Sequence, residues 1–254
     1  MTKVEILKEK ASFPNAWARA IKCVLRKGSP ILFGGKEEIK QAIDLDLTIV
    51  LEGNTVKEIL ERKLHPQFPI KEKGLEEYLK QFRKDFDYKK KGFTYTYGSR
   101  CYEYESSLIN SVQFKEFEVT VYHQLINQLE LAKENLQWQI DNNVCSNRNV
   151  ICIMDVKDRI RIPHAMPCLQ RIWIRHEGNK KISVKTTFRS HDLYSAWMAN
   201  MVGIIDMINR EVIQPVGAEI TQIVEKNDSL HIYGSDIENA RRVKLVPVNP
   251  QLMG

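Results

Sequence analysis

The chain has 254 residues, 38 Lys+Arg against 32 Asp+Glu, a formal net charge of +6, and 43% hydrophobic residues. That is one large domain or two small ones, with enough apolar mass for a core, which excludes global disorder. No apolar run reaches the ~18–20 residues of a membrane-spanning helix, and the mild positive excess suits an anionic small molecule better than nucleic acid.

Residues 1–10 lack the apolar stretch of a secretory signal. Five cysteines (Cys23, Cys101, Cys145, Cys152, Cys168) form no C-x-x-C pair. That pattern fits neither a disulfide framework nor a zinc site, so the expectation is a cytoplasmic protein without a metal. No repeat or Ser/Gly-rich linker interrupts the sequence, which predicts a single domain over residues 1–254.

Asn15 is placed to cap a helix in which Trp17, Ile21, Val24 and Leu25 share one face and which Gly28 stops. Residues 46–52 read as a strand, and Thr55 with Glu58 as a capping box for a short helix. Residues 74–86 are predicted helical, and residues 87–92, Asp-Tyr-Lys-Lys-Lys-Gly, form a solvated turn. A long helix is predicted over 119–141, with Tyr122, Leu125, Ile126, Leu129, Leu136 and Ile140 as its buried stripe. Residues 142–149 are turn-like, and 150–154 form a short strand. Residues 170–176 and 182–188 alternate as paired strands around Glu177-Gly178-Asn179. Helical spacing returns at Trp197, Met201, Ile204, Ile205 and Ile208, ends at Pro215-Val216-Gly217, and precedes strands at 218–224 and 230–233. This order predicts an α/β (α+β) class, a mixed sheet packed with helices.

Four places carry chemistry. Pro167-Cys168 sets a cysteine at the entrance to a strand. Taken alone, a cysteine is more often a small core hydrophobe than a nucleophile. Arg189-Ser190-His191-Asp192 collects a cation, a hydroxyl, an imidazole and a carboxylate at a strand–helix join. Asn200 shares a helix face with Trp197, Met201 and Ile204, so its amide needs polar partners or a ligand. His231 and Tyr233 project from one side of a strand.

In combination, Pro-Cys, Arg-Ser-x-Asp about twenty residues on, Asn eight residues after that Asp, and a late His-x-Tyr resemble the thymidylate synthase family. Tyr97-Gly98-Ser99-Arg100, Gln124-Leu125-Ile126 at the start of a helix, and Arg148-Asn149 twenty residues before the cysteine extend the likeness. It covers about residues 95–235, and Arg-Ser-His-Asp followed by Ala196-Trp197 is most similar to the compact archaeal branch.

The resemblance implies a thymidylate synthase-like fold, a sheet-mediated homodimer, and reductive methylation of dUMP to dTMP. The one-carbon donor would be methylene-tetrahydrofolate or methylene-tetrahydromethanopterin as co-substrate. It implies Cys168 as the thiolate that adds to C6 of uracil, its pKa lowered by neighbouring arginines. Tyr97 would assist removal of the C5 proton through water, and Asp192 would anchor the pterin. Asn200 would bind N3 and O4 of the base; Arg189 and Ser190 would bind the phosphate. Arg148 would reach that phosphate from the partner subunit, and His231 with Tyr233 would bind the sugar.

The sequence also departs from the family. Leu169 stands where the classical enzymes have His, Trp173 where Gln is usual, and Asn149 where a second Arg is expected. Glu37 and Glu38 are the nearest candidates for a glutamate that organises the proton-relay water, and the 250–254 tail is unlike the family's. Three alternatives stand beside it: a pyrimidine-nucleotide hydroxymethylase on the same fold, in which water captures the exocyclic methylene; a catalytically inert family member, given the unplaced glutamate; and a basic nucleic-acid-binding module suggested by Lys89-Lys90-Lys91. The last runs against the lack of interleaved aromatics and of any RNP or helix-turn-helix pattern.

Overall fold

A computed structural model of the chain describes residues 4–34, 39–112, 119–158 and 166–248. Its centre is an eight-stranded mixed sheet. β1 (Glu5–Glu9) runs parallel to β3 (Ile39–Glu52), which also pairs antiparallel with β2 (Ser29–Gly34). β10 (Glu219–Tyr233) lies antiparallel to β3 and parallel to both β8 (Lys181–Phe188) and the two-residue β9 (His191–Asp192). β7 (Leu169–His176) and β6 (Val150–Cys152) extend the sheet by antiparallel pairing. A separate ladder joins β4 (Tyr104–Val112) to β5 (Val119–Ile126).

Strand alternation decides where the core lies. Leu45, Leu47, Ile49 and Leu51 of β3, Ile223 of β10, Val184 and Phe188 of β8, and Ile172 and Ile174 of β7 are buried on one face. Onto that face pack α1 (Phe13–Lys27), α2 (Asn54–Leu60) and α6 (Trp197–Ile208). α6 is apolar almost all round and buried to match. The Trp17 indole of α1 donates to the Leu193 carbonyl at 2.8 Å, fastening that helix to the segment after β9. On the opposite face Thr48, Val50, Trp173, Lys185, Thr187 and Val224 stay only partly buried.

α3 (Glu72–Leu79) runs into a 3₁₀ turn over Lys80–Phe82, and α4 (Tyr97–Tyr102) follows the charged turn. α5 (Gln128–Asp141) and α7 (Ile237–Arg241) complete the α-helices among the described residues, and α6 continues into a π-helical turn over Asn209–Ile213. None is long and apolar enough to cross a membrane.

Several local expectations are corrected. The 119–141 helix is β5 followed by α5. Val119-Thr-Val-Tyr is β-branched and aromatic, and it finds a strand partner in β4. Asn127 then starts the helix by accepting from the N–H groups of Leu129 and Glu130 at 3.1 and 3.3 Å. The buried stripe therefore begins at Leu129, and Leu125 is 64% exposed. Ser12, not Asn15, caps α1. The Asn15 side chain is buried and instead makes a two-way clasp with the backbone of Val246. No capping box forms at α2, because Glu58 accepts the Phe13 N–H at 2.7 Å and Thr55 donates to the Glu52 carbonyl. The predicted strands at 218–224 and 230–233 are one strand, continued through a register shift between Asn227 and Leu230.

Candidate active site

Cys168 sits immediately before β7, where its carbonyl accepts the Arg189 N–H at 2.9 Å. The Arg189 side chain folds back over the same turn, donating through Nε to the Pro167 carbonyl (3.1 Å) and through Nη2 to that of Met166 (2.7 Å). Three hydrogen bonds thus tie the end of β8 to the cysteine turn, while the guanidinium keeps an exposed side. Burial pushes the Cys168 thiol above its ordinary value, and the Arg189 charge pulls it back only in part. This corrects the expectation of a lowered pKa: one cation does not offset the desolvation of this sulfur.

Tyr97 opens α4, whose first turn is closed by a reciprocal capping box between Thr96 and Ser99. A side chain at position 98 would put its Cβ 2.3 Å from the Gln81 carbonyl, so glycine lets this turn approach the 3₁₀ segment. Burial raises Tyr97 well above the ordinary phenol range, with the neighbouring Cys168, Tyr78 and Tyr95 adding to it. The Leu169 backbone opposes that rise in part. Tyr95 is pushed up to about 12, chiefly by burial and then by Cys168. Both phenols therefore stay protonated at neutral pH. The rings of Tyr78, Phe82, Tyr97, Phe188 and His191 form a continuous contact series, ending in a parallel stack of His191 on Phe188 at 3.9 Å and 12°.

Asn200 is 5% exposed, and each end of its amide is held by one hydrogen bond. Its Oδ1 accepts from the Tyr78 hydroxyl, and its Nδ2 lies 2.9 Å from His191 Nε2. His191 Nδ1 lies 2.8 Å from the Glu225 carboxylate, which also accepts the Trp197 indole N–H at 2.5 Å. Glu225 is completely buried on the core face of β10.

Asp192 pairs in register with His231. Its carboxylate takes the Ser195 N–H at 3.0 Å. Burial holds His231 below its ordinary value, partly opposed by the Asp192 charge. His231 and Tyr233 meet edge to face at 4.7 Å, with Phe33 against both rings. Ser190 is half-buried beside Arg189.

The structure thus brings Cys168, Tyr97, Arg189, Ser190 and Asn200 into one region, with Asp192, His231 and Tyr233 continuing along β10. Arg148 is not among them. The Asn149 carbonyl accepts from Ile174 at the far end of β7, six residues from Cys168, which is about 20 Å of strand. Glu37, Glu38 and the 250–254 tail lie outside the described residues. Among the described residues no group of His, Cys, Asp and Glu is arranged to hold a metal.

Sequence reasoning missed Tyr78 and Glu225 and gave His191 no role of its own. A signal existed for Glu225: Ile223, Glu225 and Asn227 share the inward parity of an apolar strand, so a carboxylate there breaks the alternation. Tyr78 carries no comparable mark, since α3 is short and its partner lies 122 residues away.

No family model matches the chain. Six archaeal proteins, each bearing the name "Putative thymidylate synthase", are similar to it. The protein of Methanothermobacter marburgensis is 29% identical over 170 residues, covering 66% of this chain and 63% of its own length. That of Methanocaldococcus jannaschii is 25% identical over 232 residues, 89% of each chain. That of Methanosarcina mazei is 26% identical over 224 residues, 87% of each.

Proposed function

From its place in a thymidylate synthase-like family, in the archaeal branch, we propose that the chain is a thymidylate synthase, converting dUMP to dTMP with a methylene-tetrahydropterin. The observation that carries this reading is the convergence of a thiol, a cation and a fixed amide. Cys168, Arg189 and Asn200 come from three separate segments and are joined through Tyr97, Phe188 and His191.

Uracil is inert at C5 until a nucleophile adds at C6. The Cys168 sulfur forms the S–C6 bond and its proton leaves; the C5=C6 pair moves to C5 and onto O4 as an enolate. Because the thiol is raised in the free chain, the thiolate is a minor species, and the addition draws on it rather than on a preformed ion pair. Asn200 has one N–H and one oxygen lone pair left after its bonds to His191 and Tyr78. These match O4 and N3–H of uracil, and the N–H stabilises the charge that develops on O4.

Arg189 spends two donors on the cysteine turn and keeps the rest for the phosphate, with Ser190 adjacent. His231 and Tyr233 take the sugar hydroxyl. Tyr97, protonated by virtue of its burial, holds water near C5 instead of acting as a phenolate base.

The residues present fit a flat pterin. An open groove of about 780 Å³ is lined by Ile70, Gly74, Tyr78, Phe86 and Phe93 and reaches the Tyr78 that bonds Asn200. Asp192 has an oxygen free of hydrogen bonds among the described residues to accept from ring donors. When bound, the methylene-pterin supplies the one-carbon unit and the hydride. The site is completed in a two-fold dimer formed across the open sheet face, with Arg148 of each chain contributing to the other's phosphate site.

Turnover of dUMP with the folate and methanopterin carriers in turn, with mass analysis of nucleotide and pterin, tests the reading. dTMP with oxidised dihydropterin is the expected result. Hydroxymethyl product with tetrahydropterin assigns the hydroxymethylase reaction instead, and no product with either carrier overturns the proposal.

A further inference from the structure

We propose that Glu225 and His191 form a polar relay that locks the Asn200 amide in the orientation uracil requires, with Tyr78 as its second partner, making Glu225 and His191 positioning residues for base choice. The inference deepens the function proposed above and rests on it.

An Asn amide is symmetric in shape and antisymmetric in hydrogen bonding, so selectivity requires something that forbids the flip. Here the polarity is set from the buried carboxylate outward through the imidazole. His191 Nδ1 faces two acceptors, the Glu225 carboxylate at 2.8 Å and the Asn227 side-chain Oδ1 at 3.3 Å. Asn227 is itself oriented by donating through Nδ2 to the Leu47 carbonyl at 3.2 Å. Nδ1 therefore carries the proton, and Nε2 presents a lone pair to Asn200. The Asn200 Nδ2 must be the group that meets it, at 2.9 Å, and its Oδ1 then takes the Tyr78 hydroxyl proton.

The imidazole cannot turn to escape this arrangement. It lies flat on Phe188, and the carboxylate that holds it is pinned through its second oxygen by Trp197 Nε1–H at 2.5 Å. His191, Glu225 and Asn227 are 3%, 0% and 0% exposed, so water does not offer alternative partners. A flipped amide could still donate to the Tyr78 oxygen, but it would point a carbonyl lone pair at the lone pair on His191 Nε2. With the flip blocked, N–H sits on the O4 side and the oxygen on the N3–H side. Cytosine, with a bare N3 and an N4 amino group, meets the reverse pattern.

Glu225→Gln tests the relay without changing its shape. The Trp197 indole only donates, so it claims the Gln carbonyl, and the Gln NH₂ turns toward His191 Nδ1. The imidazole answers by moving its proton to Nε2, and Asn200 must present oxygen to it. The amide flips, and the base preference follows.

Affinities of the full-length wild type and variant for dUMP and dCMP, measured by calorimetry, give the result directly. Wild type favours dUMP, and in Glu225→Gln the dUMP:dCMP affinity ratio falls by roughly ten- to hundred-fold. A variant that weakens both nucleotides equally shows a merely structural carboxylate and overturns the proposal. A wild type that binds neither nucleotide overturns the parent reading instead. Should the variant not fold, ¹⁵N chemical shifts of the wild-type imidazole decide alone: an Nδ1–H tautomer at His191 supports the relay and an Nε2–H tautomer refutes it.

Discussion

Replacing Asn200 by Asp changes one atom in a site whose polarity the surroundings dictate. In the wild type the amide offers the base one N–H and one lone pair, so uracil finds two matches and cytosine none. The aspartate offers two acceptors. Its oxygen in the Nδ2 position faces His191 Nε2, 2.9 Å away in the wild type, so the hydrogen bond between the two side chains is lost. Toward the base, N3–H of uracil is still matched, but O4 now confronts oxygen. For cytosine the N4 amino group gains an acceptor.

One buried match is thus lost for uracil and one gained for cytosine. Each is worth ~1–3 kcal/mol, so kcat/KM for dUMP falls roughly ten- to hundred-fold and that for dCMP rises relative to it. Steady-state kinetics on both nucleotides, with the melting temperature recorded in parallel, measures the change. An unchanged dUMP:dCMP ratio accompanied by a lower melting temperature would mean that Asn200 only braces α6, and the site assignment would fall.

Arg148→Ala and Cys168→Ser chains, each inactive alone, are expected to regain activity when mixed, because one hybrid site recovers both groups; a fully active monomer in sedimentation would exclude the shared site. Gly203→Ala would put a methyl carbon 2.3 Å from the ring of Phe82, a side chain hemmed in by Tyr78 and Tyr97. The overpacking costs ~1–3 kcal/mol, read as a melting temperature lower by roughly 2–10 °C; an unchanged transition would contradict the packing. His231 is held below its ordinary 6.5 by burial, so the unfolded chain binds that proton first. Its contribution to stability is complete above about pH 6.5 and declines as pH falls below it. His231→Gln is expected to flatten that acid slope, and equal slopes in the two chains would remove His231 as its source.

What was legible in the sequence was local and strongly patterned. The hairpin of β7 and β8 shows itself through strict alternation around Glu177-Gly178-Asn179, and α6 through five apolar residues at helical spacing. The misread segments are those where two patterns overlap. Val119–Ile126 contains Tyr122, Leu125 and Ile126 at spacings that continue smoothly into Leu129, so a strand and the helix after it read as one element until Asn127 is seen capping. Glu58 looked like half of a capping box because its true partner, the N-terminus of α1, is 45 residues away. The candidate site divides in the same manner. Cys168, Arg189, Asp192 and Asn200 lie within 33 residues of one another and carry recognisable spacing. Tyr78 and Glu225 reach Asn200 and His191 only through tertiary packing, across 122 and 34 positions.

The most direct test of the account is whether Cys168 attacks C6 of a uracil nucleotide. The chain is incubated with 5-fluoro-dUMP and a methylene-tetrahydropterin, digested, and mapped by mass spectrometry. The account predicts a covalent nucleotide adduct on the peptide containing Cys168, formed with wild type and lost in Cys168→Ser. Labelling at Cys23, Cys101, Cys145 or Cys152, or no adduct with either the folate or the methanopterin carrier, would contradict it.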